Sequence, residues 1–320
     1  MKVKRISLAI IISLVAIFTI IFMMNHNSKD SSAYEPKADL SFVVLGDVHD
    51  SINGFQNAVN DFYNINKSID ALVLNGDTVD EGKDEQYKDM NKIISKNKNK
   101  LPDIIIKNIG NHEFYNYDYD SDSKEDMIKF MNRYLEFSGN EKVYNDQWIK
   151  GYHFISLGSD DVENEGFNAT MASLTEEQLS WFRETLKDGY EKGKPIFVFL
   201  HQPISADFFG RDWSGVVQKD EIKEILSNYP EVVIFSSHTH KDFDDDCIKE
   251  NMPFTMVHTG AVGYTLIKDE NSENGIRRDS SYNNGLYVEV NGNNVTVKGR
   301  NIADHEWVFS KDLSINDTEN

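Results

Sequence analysis

Residues 41–50 read S-F-V-V-L-G-D-V-H-D: an apolar run of strand length that ends in Asp47 and His49. In an extended chain the side chains at i and i+2 leave the same side. Asp47 and His49 are therefore expected to converge on one point, where they either hydrogen-bond each other or hold something between them.

The same pattern recurs along the chain. Ile69–Leu74 is strand-like and runs into N-G-D-T-V-D, which places Asp77 just past a strand. Ile104–Ile109 runs into G-N-H-E, placing Asn111 and His112, and Ile196–Leu200 runs into His201. Val232–Phe235 runs into S-S-H-T-H, placing His238 and His240. Between these runs lie segments with apolar residues at helical spacing: 53–66, 84–96, 124–137, 175–190 and 219–228. Thr175 and Gln178 have the spacing of a capping box. A strand is expected at 152–157, and strands follow at 254–258, 264–267 and 286–297, the last around the turn N-G-N-N. Alternating strands and helices with a β-rich end predict an α/β domain with mixed sheets. In such sheets ligands bind at the carboxyl ends of strands, which is where these polar residues stand.

Each element alone has an ordinary explanation, since Asp is a common turn or cap residue. Together, D-x-H, G-D, G-N-H-E, H and H-x-H in chain order over residues 46–240 resemble the calcineurin-like metallophosphoesterases. One departure is Ser237, where that family usually has glycine before H-T-H; a slightly altered turn is expected there. The resemblance implies a four-layer αββα sandwich with two mixed β-sheets. It implies that Asp47, His49 and His240 bind one metal, that Asn111, His201 and His238 bind a second, and that Asp77 bridges them. It further implies a bridging hydroxide that attacks phosphorus, with His112 assisting the leaving oxygen. Carboxylate, amide and imidazole donors suit Mn, Fe or Zn. Two such cations offset the charge of a phosphoester and acidify a bound water. Neighbours in an extended turn point apart, so His112 is expected to face substrate, and Glu113 to stand behind and orient it. Arg211 is a weaker candidate for a phosphate clamp, set against a surface ion pair. His258, His153 and Trp148 read as structural.

Ile6–Met24 carries no charge over 19 residues. As a helix it would span about 28 Å, one bilayer core. Lys2, Lys4 and Arg5 precede it, so the positive-inside rule puts the rest of the chain outside the cytoplasm. We expect an anchor at 1–24, a linker at 25–38, the catalytic domain at 39–311 and a loose tail at 312–320. The alternative is secretion after cleavage, with Ser31-Ser32-Ala33 as a distant A-x-A-like site. The single cysteine, Cys247, excludes an intrachain disulfide, and its acidic surroundings argue against a nucleophile.

Net charge is −20, from 53 acidic and 33 basic residues. That balance repels nucleic-acid polymers, whose binding depends on Lys and Arg. A small phosphoester is the expected substrate, and no protein partner is implied. Asp118, Asp120 and Asp122 have EF-hand spacing, but Ser123 stands where the loop needs glycine and Lys129 where it needs glutamate. Phosphodiesterase is favoured over phosphomonoesterase. The aromatic signature of purple acid phosphatases is not evident around G-D-T-V-D-E. The reading from another class is a membrane-tethered binding or scaffold protein that keeps the fold without turnover.

Overall fold

The computed structural model describes residues 38–118, 123–163, 170–205, 215–243, 247–250, 252–272, 275–313 and 315. The expected anchor, the linker before Ala38, Arg211 and residues 316–320 lie outside the described residues. In chain order the strands are β1 (Leu40–Leu45), β2 (Ala71–Asn75), β3 (Ile104–Asn108), β4 (Asn145–Ile149), β5 (Tyr152–Ser156), β6 (Ile196–Phe199) and β7 (Val232–Ser236). They continue with β8 (Ile248–Lys249), β9 (Thr255–His258), β10 (Thr265–Lys268), β11 (Ile276–Asp279), β12 (Asn284–Asn291), β13 (Asn294–Asn301) and β14 (Glu306–Leu313). The helices are α1 (Ile52–Ile65), α2 (Asp84–Lys96), α3 (Lys124–Ser138), α4 (Glu176–Thr185) and α5 (Lys219–Leu226), with a 3-10 turn at His112–Phe114.

Two six-stranded sheets form, in the orders β14-β13-β12-β1-β2-β3 and β4-β5-β6-β7-β9-β8. Both are mixed. β1, β2 and β3 run parallel while β12 joins β1 antiparallel. β5, β6, β7 and β9 run parallel, flanked by antiparallel β4 and β8. The period-2 alternation of β1 feeds two cores. Phe42 and Val44 face the second sheet, while Val43 and Leu45 face α1, α2 and α3. Phe42 meets Phe154 at 5.0 Å and Phe197 at 4.9 Å, both edge-on, between the sheets. Truncating so buried a ring costs about 3–5 kcal/mol. The far face of the second sheet packs Val198 and Ile234 against Leu179 and Phe182 of α4 and Ile222 of α5. These four layers are the expected sandwich, and they bring the carboxyl ends of β1, β2, β3, β6 and β7 together.

Several local expectations need correction. α4 ends at Thr185, not Tyr190, because the chain turns through Leu186–Gly189, with Gly189 at φ 61°. Thr175 does accept the Gln178 N–H, but Gln178 does not reach back. Its amide pairs with the backbone of Gly158, and Asp160 takes the Thr175 N–H instead. β14 runs to Leu313, two residues past the expected domain end, because its ladder with β13 continues through Thr296–Asp312 and Val295–Leu313. Ser123 caps α3 and Lys129 lies within that helix, so neither serves a calcium loop. Among the described residues no helix is long and apolar enough to cross a membrane.

Candidate metal centre

Five strands deliver the site. Asp47 and His49 follow β1, Asp77 follows β2, Asn111 and His112 follow β3, His201 follows β6, and His238 and His240 follow β7. The backbone there is not extended. Asp47, His49, Asp77, His238 and His240 all have φ between 49° and 71°. Such left-handed non-glycine residues cost free energy and gather at functional sites. Asp47 and His49 thus converge through two left-handed residues rather than by strand alternation. Gly76, at φ 83°, lets the β2 loop pass the His201 ring, into which any Cβ would project.

Three of the imidazoles are oriented alike. His49 Nδ1 faces Asp80 Oδ1 at 3.0 Å, His201 Nδ1 donates to the Asn75 carbonyl at 2.8 Å, and His240 Nδ1 donates to the Tyr264 carbonyl at 2.9 Å. Each leaves Nε2 for the interior, the usual way a ligating histidine is held. Three overlapping groups result: Asp47, His49 and His240; Asp77, His201 and His238; and His49, Asp77 and His112, which shares a residue with each of the others. In each, the donor atoms lie within 4.8 Å of one another. Asp77 stands between His201 and His49, with Oδ2 3.1 Å from His201 Nε2 and 3.7 Å from His49 Nε2.

Charge is finely divided here. Burial alone would raise the Asp47 carboxyl, but the imidazoles of His240, His49 and His201 hold it well below the usual range. Asp77 is likewise held low by His201, His112 and His49 against its burial. Burial works against a charge on His49, yet Asp47, Asp80 and Asp77 outweigh it and push it up to about 10. Burial is outweighed in the same way at His201, where Asp77 and Asp47 push it up to about 9. Burial wins at His238, pushed down to about 3, and at His240, pushed down to about 4. Those two are neutral, as ligands must be.

The residues fit a metal pair. Asn111 Oδ1 is buried and accepts no hydrogen bond among the described residues, while its Nδ2 donates to the Tyr115 hydroxyl at 3.0 Å. Asp77 Oδ2 and His201 Nε2 are also buried; they face each other at 3.1 Å, and neither hydrogen-bonds any other described residue. Buried polar atoms left this way are costly unless something binds them. Beside the clusters opens a cavity of about 240 Å³, lined by Asp77, Asn111, His112, Tyr115, His240 and Tyr264 among others.

Residues 40–242, more than half of the chain, match the calcineurin-like phosphoesterase family. The chain belongs to that family. Membership makes it a metal-dependent phosphoesterase. No curated protein matches the chain at a significant level. Among solved structures it is similar to purple acid phosphatase PPD1 from yellow lupin seeds, at 12% identity and a TM-score of 0.57. That match covers 85% of this chain and 53% of the lupin chain, so this chain spans about half the length of the lupin protein. It is also similar to GAP50, the anchor in the inner membrane complex of Plasmodium, at 14% identity and a TM-score of 0.56. That match covers 86% of this chain and 88% of GAP50. At these identities the likeness is one of fold.

The phosphoesterase departs from expectation at two positions. Asn111 is helical and His112 opens a 3-10 turn, so His112 reaches the cavity from a helical corner rather than an extended one. Glu113 does not orient His112. Its carboxylate accepts the backbone N–H groups of Asp77 at 3.0 Å, Thr78 at 2.9 Å and Gly110 at 2.7 Å, tying the β2 and β3 loops together. Burial and the Asp77 charge push Glu113 up to about 7. The residue that holds His112 is Asp80, whose carbonyl accepts from His112 Nδ1 at 2.8 Å and whose carboxylate lies 3.5 Å away. Asp80 stands in the same G-D-T-V-D stretch as Asp77, so its placement was open to sequence reading. Tyr264, stacked on His240 at 3.8 Å, carried no local signal.

Ser237 is packed into the turn. Its hydroxyl accepts from Asn75 Nδ2 at 2.9 Å, pairs with Thr259 at 2.7 Å, and fills the space a Cβ on Gly46 would need. His258, buried at the end of β9, donates from Nε2 to Thr239 at 3.0 Å and so braces the H-T-H turn from behind. His153 pairs with Asp146 and stacks on Trp148, away from the cavity.

Proposed function

We propose that this phosphoesterase hydrolyses small phosphodiesters at a dinuclear centre, outside the cytoplasm, from a body tethered by its N-terminal apolar segment. The observation that carries the centre is the position of Asp77 between two sets of imidazoles. Asp47, His49 and His240 would hold one ion, and Asn111, His201 and His238 the other, with Asp77 shared. The mixed oxygen and nitrogen donors suit Mn, Fe or Zn. When bound, such ions supply positive charge against phosphate oxygens and acidify a water.

The chain's own groups do the rest. His112 is held with Nδ1 donating to the Asp80 carbonyl, which leaves Nε2 as the ring nitrogen that would pass a proton to the leaving oxygen. Tyr115 packs on His112 at 4.3 Å and Tyr264 on His240, so the cavity has two aromatic walls. Two such walls favour a phosphorus that carries an alcohol on either side. The net charge of −20 weighs against long nucleic acids. Residues 6–24 support the tether and the basic residues before them support the orientation.

The test compares bis-p-nitrophenyl phosphate with p-nitrophenyl phosphate on the Mn²⁺-loaded full chain, with a chelator control. Faster chelator-sensitive release from the diester supports the proposal, and faster release from the monoester makes it a phosphomonoesterase. Digestion of intact cells with an added protease checks the location, since a domain outside the cytoplasm is cleaved.

A further inference from the structure

β10 and β11 form a separate two-stranded hairpin beside the cavity. Leu266 of β10 lines that cavity. Its direct partner across the ladder is Arg278. Cross-strand partners project from the same face, so Arg278 lies on the face that Leu266 turns toward the cavity. Arg277, one residue earlier, faces the other way and is held by Asp269 at 3.3 Å and Asp279 at 3.0 Å.

The Arg278 guanidinium lies 3.5 Å from the centroid of the Tyr264 ring. The same ring stacks on His240 at 3.8 Å and 12°. His240, Tyr264 and Arg278 therefore form a layered stack that leads from one candidate metal cluster to the rim. A guanidinium over a ring uses its flat face and keeps its N–H groups, in the plane, for an acceptor. Arg278 is exposed, and among the described residues it makes no ion pair. That is notable in a chain with 53 acidic and 33 basic residues.

We propose that Arg278 is a specificity residue for a second anionic group on the substrate, carried on the portion that extends from the reacting phosphorus past Tyr264. The preferred phosphoester then bears a further carboxylate or phosphate beyond the one being cleaved. This rests on the phosphoesterase reading and narrows its substrate class.

The test measures binding of two phosphonates to the Mn²⁺-loaded full chain by calorimetry. 3-Phosphonopropionate carries the extra carboxylate and propylphosphonate does not. The carboxylate form is expected to bind about tenfold tighter, as one charge-assisted contact gives. Arg278→Gln brings the two affinities within about twofold, Arg278→Lys restores part of the difference, and Arg277→Gln leaves it in place. Equal affinities in the unmutated protein overturn the assignment. So does an Arg278→Gln variant that weakens both phosphonates alike, because Arg278 would then only support Tyr264. Turnover of bis-p-nitrophenyl phosphate separates the two claims. Turnover with equal phosphonate affinities removes Arg278 alone, whereas no turnover and no phosphonate binding remove the phosphoesterase reading and Arg278 with it.

Discussion

His49 Nε2 and His240 Nε2 face each other at 3.0 Å in the protein interior. Each ring is fixed from behind, by Asp80 and by the Tyr264 carbonyl. Two imidazole nitrogens aimed at one point need a proton or a cation between them. Asp47 Oδ1, 3.4 Å from His240 Nε2, completes the set.

Cation binding at this centre must displace protons. His49 is pushed up to about 10 and His201 to about 9, so both are protonated at neutral pH when no ion is bound. Metal affinity is therefore expected to rise with pH, by about tenfold per pH unit for each proton released. Calorimetric titration at pH 6, 7 and 8 in buffers of different ionisation heat checks this, and a pH-independent affinity would count against it. The sign for stability follows from the same groups. Both histidines are raised in the fold, so their contribution to the metal-free protein is full below about 6.5 and is lost as pH rises through 9 to 10.

Asp80→Asn removes the carboxylate that His49 and His112 share. Losing such a partner behind a ligand typically costs 10–100-fold in affinity or activity, on the order of magnitude known for metal sites. Steady-state kinetics with parallel metal analysis should show a fall in kcat of about that size.

Gly76→Ala places a methyl against the His201 ring at φ 83°. The backbone strain and the collision together are expected to cost about 1–3 kcal/mol. Thermal unfolding should show the loss, and metal content should fall with it, since His201 has no room to yield.

Glu113→Gln turns one acceptor into a donor that faces backbone N–H groups. A buried donor without an acceptor costs about 1–3 kcal/mol. Urea unfolding is the measurement, and an unchanged midpoint would show that the two loops do not depend on Glu113.

The strand ends were legible in the sequence because each combines a continuous apolar run with a polar residue that a buried strand would not tolerate. β1 shows it plainly: L-S-F-V-V-L is buried throughout and Asp47 follows at once. β4, β8, β11 and β14 were not legible, β8 being only the two residues Ile248–Lys249. Asn145–Ile149 alternates in burial with polar residues, Ile276–Asp279 is mostly exposed, and Glu306–Leu313 is an edge strand, so none carries the apolar signal. In the site, residue identity could be read but backbone shape could not. The left-handed conformations of Asp47, His49 and Asp77 are imposed by contacts such as Glu113 on Asp77 and Asp47 on the His238 N–H, between residues far apart in the chain. Tyr264 and Leu266 come to the cavity, and Arg278 to the Tyr264 ring, through the β10–β11 region, which no local pattern connects to His240.

The most direct measurement is turnover of bis-p-nitrophenyl phosphate by chelator-stripped protein as Mn²⁺ is added back, with bound metal counted alongside. Two clusters joined by Asp77 predict turnover that rises to a plateau at two ions per chain and vanishes again with chelator. Turnover that survives stripping, or a plateau at one ion, would contradict a shared Asp77 centre.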